Sequence, residues 1–334
     1  MKFGLFGGAS SRRGGVARDS TQGYRDFIGY VEEAEELDYH SVFLVEHHFT
    51  GFGQVSASLN LLTYLAARTT RMRLGTAVVV LPWHNPVLLA EQAATVDLLS
   101  GGRLEFGVGK GYRPNEFNGF NVDPANAQEL FEESLEVIRR AWTSEERFTH
   151  IGKHWTFQDI VVEPPPIQRP HPPMWLAAGS PVGLKWAADN DFNLLLDQIA
   201  SFDLIQERFD TYRAAVEASG RTFNPMNVAV ARALHITHNE AEREAAHQQR
   251  SRLLSGISRL SRIREGGGPQ STMLQYNDTR LATEEGALIG PPEEIIERLQ
   301  RMRAGGIEYV LLIDITGSRE SLRLFRDEVM PALE

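Results

Sequence analysis

Residues Leu74–Val108 read LGTAVVVLPWHNPVLLAEQAATVDLLSGGRLEFGV. Leu74–Leu81 (LGTAVVVL) and Leu104–Val108 (LEFGV) are short runs rich in β-branched and apolar residues, apolar on both faces. Between them, Val87–Leu99 is an apolar helical pattern. Strand, helix, strand is one βαβ unit, and strands apolar on both faces suit a parallel sheet covered on each side. Working outward, the same unit recurs. Strand-like runs fall at Phe3–Phe6, Val42–Val45, Met174–Ala178, Asn193–Leu196, Val228–Ile236 and Tyr309–Ile313. Helical patterns alternate with them at Tyr24–Leu37, Ser56–Arg68, Ala127–Trp142, Gly183–Ala188, Leu204–Ala218, Glu240–Leu254, Glu293–Met302 and Arg319–Met330. Eight such repeats in a chain of 334 residues predict an α/β fold, a (β/α)8 TIM barrel forming a single domain over 1–334. An open doubly wound sheet is the alternative. Two stretches depart from the repeat. Arg147–Pro173, with VVEPPPIQRPHPP at its end, reads as an excursion: a small hairpin and an extended crossing. Ser255–Gly290, with little periodicity, reads as a long loop after the seventh strand and is expected to be a mobile lid.

Composition narrows the function. Lys and Arg total 34 against 44 Asp and Glu, giving a net charge of −10, and no basic block offers a phosphate backbone a surface, so nucleic acid is not an expected partner. The chain has no cysteine, which removes disulfides, thiolate nucleophiles and Cys-built metal centres. There is no export signal at the start and no apolar run of about 20 residues, so no membrane association and a cytoplasmic location are expected.

In a barrel of this kind active sites gather where the strands end at the C-terminal face. Glu46-His47-His48-Phe49 follows the second strand, Gly109-Lys110-Gly111-Tyr112-Arg113 the fourth and Gly179-Ser180-Pro181 the fifth. Adjacent strand residues point to opposite faces, so His47 and His48 do not form a two-histidine metal site, and no metal is expected. One inward histidine beside a carboxylate suits a general base; a buried histidine of purely structural role reads the same way. Gly107-Val108-Gly109-Lys110-Gly111 lacks P-loop spacing and matches a dinucleotide fingerprint only loosely. Its glycine amides and the Lys110 charge still suit an anion, and Gly179-Ser180 opening a helix is a natural phosphate seat. Each alone is an ordinary tight turn; together they point to a phosphate-bearing ligand.

The set formed by Glu46–Gly53 (EHHFTGFG), Leu74–Pro82, His84–Val87, Leu98–Gly107 (LLSGGRLEFG), Glu116-Phe117 and Gly290–Ile295 resembles the luciferase-like flavin-dependent monooxygenases almost end to end. The resemblance implies a two-component enzyme that takes FMN, as FMNH2 from a separate flavin reductase, and uses O2 through a C4a-(hydro)peroxyflavin to oxygenate a small-molecule substrate. It implies His47 as the catalytic histidine with Glu46 as its orienting carboxylate. Lys110, Gly111, Tyr112, Gly179 and Ser180 would hold the phosphate, and Ala77-Val78 would form a non-prolyl cis peptide against the ring. It also implies a homodimer through the helices at Ser56–Arg68 and Val87–Leu99; both packing simply on the barrel is the alternative. Gly109 stands where the luciferases carry a reactive cysteine, Gly183 replaces a phosphate-binding hydroxyl, and Asp197, Gln198 and Arg252 fall near pocket-lining aromatics, so the substrate side differs. Deazaflavin-dependent hydride transfer and a non-catalytic flavin-binding partner subunit are the other two readings.

Overall fold

The computed structural model describes residues 1–11, 21–261 and 279–333. In chain order the elements are β1 (Lys2–Gly7), α1 (Gln22–Glu36), β2 (Ser41–Leu44), α2 (Ser58–Arg68), β3 (Arg73–Thr76), β4 (Val79–Val80), α3 (Pro86–Leu99), β5 (Leu104–Gly109), α4 (Pro114–Phe120) and α5 (Ala127–Thr143). Then follow β6 (Phe148–Ile151), β7 (Thr156–Ile160), β8 (Met174–Ala177), α6 (Pro181–Asp189), β9 (Asn193–Leu196), α7 (Phe202–Ala218), β10 (Val228–Ile236), α8 (Glu240–Ser261), α9 (Thr279–Gly286), β11 (Leu288–Gly290), α10 (Pro292–Ala304), β12 (Tyr309–Asp314) and α11 (Arg319–Leu324). Neighbours run β1, β2, β3/β4, β5, β8, β9, β10, β12 and back to β1, all parallel, which closes an eight-membered barrel. The open-sheet alternative is thereby excluded. The third wall position is one expected strand split in two, at a cis peptide between Ala77 and Val78.

The excursion is the hairpin β6–β7 followed by an extended crossing with cis peptides before Pro164 and Pro170. The crossing is pinned by the buried Asp97 of α3, whose carboxyl accepts from the backbone N–H groups of Ile167 and Gln168 and from Gln168 Nε2. After the seventh barrel strand the expectation of a continuous loop over 255–290 needs correction. Helix α8 runs on to Ser261, α9 and β11 occupy 279–290, and residues 262–278 of the expected lid lie outside the described residues. The buried stripe of α8 includes Ala246, His247, Arg250 and Leu254. Strand β11 pairs with the C-terminal half of β10 on the edge whose N-terminal half holds β9, which raises the rim there.

One end of the barrel is closed by its own side chains. Ser41, Arg73, Glu105, Trp175 and Tyr309 all sit in the first two residues of their strands. Trp175 Nε1 donates to Glu105, Arg73 Nε donates to Glu105, and the Ser41 and Tyr309 hydroxyls hydrogen-bond each other. Above this layer Phe43, Leu195, Ala229, Ala231 and Leu311 fill the interior. Gly107 is obligatory in this wall, because a Cβ there would lie 1.9 Å from the Thr76 carbonyl oxygen. With the N-terminal end plugged, a ligand has access only from the C-terminal face.

Candidate active site

Because β2, β3/β4, β5 and β8 are consecutive parallel neighbours, the segments that follow them share one rim. The register aligns Leu44 with Thr76, Val80 with Gly109 and Val108 with Leu176. The rim therefore brings together Glu46–His48, Ala77–Val78, Lys110–Arg113 and Gly179–Ser180.

The histidine pairing differs from the sequence expectation that Glu46 orients His47. Glu46, 3% exposed, accepts from His48 Nε2 at 3.1 Å and from His84 Nε2 at 3.0 Å. Burial alone would raise its carboxyl pKa; these two histidine hydrogen bonds outweigh burial and hold it below the ordinary value. His47 leaves the strand end on the other face. Its Nδ1 lies 3.2 Å from Glu116 Oε1, and the same oxygen accepts the backbone N–H of His48 at 2.9 Å. Burial lowers the His47 pKa, the hydrogen bond to Glu116 opposes that, and the positive charge of Arg113 adds to the lowering, leaving the imidazole neutral at pH 7 with its other ring nitrogen available. The His47 ring is thus held by a carboxyl that is distant in sequence.

Glu116 arrives on α4, a seven-residue helix that was not expected. Its signal is local: Pro114 at the first helical position and Glu116 in the first turn. Asn115 Nδ2 donates to the His48 carbonyl at 3.3 Å, so α4 is laced to the β2 rim by two consecutive side chains. Aromatic rings wall this sector: Trp83 packs edge-on to Phe117 at 4.7 Å and stacks on Phe120 at 5.4 Å, and Phe120 meets His48 at 4.7 Å.

The β5 and β8 tips are more open. Lys110 is exposed and its Nζ donates to Gln128 at 3.0 Å. Ser180, also exposed, is the N-cap of α6 and accepts from Gly183 N at 3.1 Å, which leaves its own O–H free to donate. A helix N-terminus, a hydroxyl and a nearby ammonium suit a phosphate. Gly111, at φ +79°, turns the chain where a Cβ would lie 2.8 Å from the Trp83 ring, and a Cβ at Gly109 would meet Val78 at 2.6 Å. The small residues here let the β5 tip pack closely against Val78 and Trp83. Among the described residues, two buried donors, Arg113 Nη1 and Trp83 Nε1, have no acceptor and the acceptor Asn115 Oδ1 has no donor, so these rim groups are not saturated by one another. Among the described residues no group of three or more His, Asp or Glu side chains is set to hold a metal, and no helix is long and apolar enough to cross a membrane.

This geometry agrees with what the chain is similar to. The matched region spans 60% of the uncharacterized protein y4wF of Sinorhizobium fredii, at 31% identity over 214 residues, or 64% of this chain. The oxygenase component of the flavin-dependent trigonelline monooxygenase of Acinetobacter baylyi is 26% identical over 351 residues, covering 99% of this chain and 95% of that one. The monooxygenase RslO1 of Streptomyces bottropensis superposes with a TM-score of 0.85 at 26% identity over the whole of both chains. Two further structures share the fold: the oxygenating constituent of 3,6-diketocamphane monooxygenase of Pseudomonas putida in complex with FMN (TM-score 0.78, 19% identity, 99% and 98% covered) and an F420-dependent secondary alcohol dehydrogenase (0.79, 18%, 100% and 99%). The model of the luciferase-like monooxygenases matches residues 1–309, and the chain belongs to that family.

Proposed function

We propose that this chain is the oxygenase of a two-component system: it takes reduced FMN from a separate flavin reductase and, with O2, oxygenates a small organic molecule. The observation that carries the reading is the shared rim of four adjacent strands, with a neutral, part-buried imidazole in one sector and the Ser180-capped helix N-terminus in another. When bound, reduced flavin supplies the electrons that activate dioxygen. Ser180, Lys110 and the amides of Gly111, Tyr112 and Gly179 would hold its phosphate, and Ala77, Val78 and Gly109 would face its ring. His47 moves a proton at its free ring nitrogen, and Glu116 fixes the ring's orientation through Nδ1. Glu46 takes no part in that proton transfer; it braces the rim through His48 and His84. The aromatic wall of Trp83, Phe117 and Phe120 limits water on the His47 side.

The partner surface is the helix pair α2–α3. Leu99, Leu88 and Tyr64 are 62%, 53% and 52% exposed there, which fits a homodimer contact. Hydride transfer with a deazaflavin is the second reading, favoured by the fold shared with an F420-dependent dehydrogenase. The deciding experiment is anaerobic titration with reduced FMN and with reduced F420, followed by oxygen uptake and product mass for His47→Ala. Tight FMN binding retained with product lost supports the proposal. F420 binding without FMN binding, or unchanged turnover in His47→Ala, overturns it.

A further inference from the structure

A buried guanidinium normally sits against a carboxylate, a norm that Arg208 follows with Asp197. Arg113 and Arg250 break it. Arg113 is 1% exposed, its one side-chain hydrogen bond runs from Nε to the Tyr112 hydroxyl at 3.2 Å, and its Nη1 is buried without an acceptor. Arg250 is 2% exposed and donates to the neutral Gln198 side chain; burial pushes its pKa down to about 10, with no carboxylate opposing the shift. Neither forms an ion pair among the described residues.

Both belong to the open face. Arg113 leads into α4 three residues before Glu116, close enough that its charge depresses the pKa of His47. Arg250 faces Gln198, two residues past the end of β9, from α8. Helix α8 packs against α4, and its Gly256 lies beside Phe52 of the loop after β2. The Trp83 indole, against Phe117 of α4, adds a third donor lacking an acceptor. In a chain of net charge −10, two buried guanidiniums with no carboxylate partner among the described residues call for an anion.

We propose, resting on the function given above, that the substrate is a small organic carboxylate whose oxygens are received by Arg113 and Arg250. The flavin phosphate is the other source of the same chemistry. The solvent-open Lys110–Ser180 seat meets that need, whereas Arg113 and Arg250 are dry and Arg113 stands on the His47 side. A neutral analogue leaves a buried guanidinium unpaired, so carboxylate is preferred over the matching amide by on the order of 100-fold.

The test is calorimetric and needs no turnover. Benzoate, nicotinate and cyclohexanecarboxylate, each beside its primary amide, are titrated into the full chain with and without oxidised FMN. The proteins are the parent, Arg113→Met and Arg250→Met, and FMN affinity is measured separately on each. The expected result is a carboxylate preference of about 100-fold in the parent, collapsing in either variant, with the FMN Kd unchanged. Should a Met variant fail to fold, Arg113→Lys and Arg250→Lys take its place and retain the preference at weaker affinity. No carboxylate preference in the parent, a preference surviving both Met variants, or loss of FMN affinity in them overturns the proposal. Failure of the parent to bind FMN sinks the flavin reading instead, while the titrations without FMN still report on the two guanidiniums.

Discussion

Glu116 is 2% exposed and serves two donors, the His47 ring at 3.2 Å and the His48 backbone N–H at 2.9 Å. Glu116→Ala removes both acceptances. A buried backbone N–H left without an acceptor costs about 1–3 kcal/mol, and the lost side-chain contacts add about 1 kcal/mol, so the variant should lose about 3 kcal/mol of stability. Glu116→Gln keeps an oxygen for the His48 N–H and nearly the same volume, and should lose about 1 kcal/mol. The two variants part company over His47 as well. Burial lowers its pKa while Glu116 opposes that lowering, so in Glu116→Gln the His47 midpoint must fall further. The sign for stability follows: a folded-state pKa below the unfolded value of 6.5 means that the unfolded chain binds more protons, so stability declines as pH drops below 6.5, and declines further in the variant. Urea titrations at several pH values and an NMR titration of the His47 ring measure these effects. Equal stability in the Ala and Gln variants, or a His47 midpoint that stays or rises in Glu116→Gln, would refute the pairing.

Ser180→Ala removes an N-cap acceptance and should cost about 1 kcal/mol; it should weaken FMN binding while leaving riboflavin binding unchanged, and equal losses for the two ligands would count against a phosphate seat. Gly107→Ala drives a Cβ into the Thr76 carbonyl and should lower stability by about 3 kcal/mol or more, read as a fall in Tm against a Gly256→Ala control, whose Cβ would make only an ordinary 3.7 Å contact with Phe52. Glu46, with its folded pKa held below 4.5, contributes stability that is present above that value and lost as pH falls through its folded midpoint. Glu46→Gln should therefore flatten the acid limb of the stability profile, and an unchanged limb would show that the two histidine bonds carry no such energy.

All eight barrel strands can be read from the chain, because a parallel strand buried on both faces leaves a short apolar run that few other structures leave. Val228–Ile236 and Asn193–Leu196 match their strands residue for residue. Elements in which polar residues hold structural positions leave no such run. Helix α4 has only seven residues and carries Asn115, Glu116 and Asn118 within a stretch that otherwise looks like a turn.

The His47 ring hydrogen-bonds Glu116 rather than its chain neighbour Glu46, because nearness along the chain is not nearness in space. The alternation that separates His47 from His48 separates it from Glu46 equally, and the same rule puts Glu46 and His48 on one face, where they hydrogen-bond. A histidine leaving a barrel strand inward must find its partner on a neighbouring rim segment. Here that segment is α4, which supplies Glu116 to the His47 ring and the His48 backbone and Asn115 to the His48 carbonyl. Arg113 opens the same helix. The group that sets the imidazole and the group available to a substrate anion thus ride on one short element, so a shift of α4 moves both together. Tuning the proton chemistry and choosing the substrate are then not independent in this rim: a substitution that repacks α4 against α8 should alter both, even though it touches neither His47 nor a ligand.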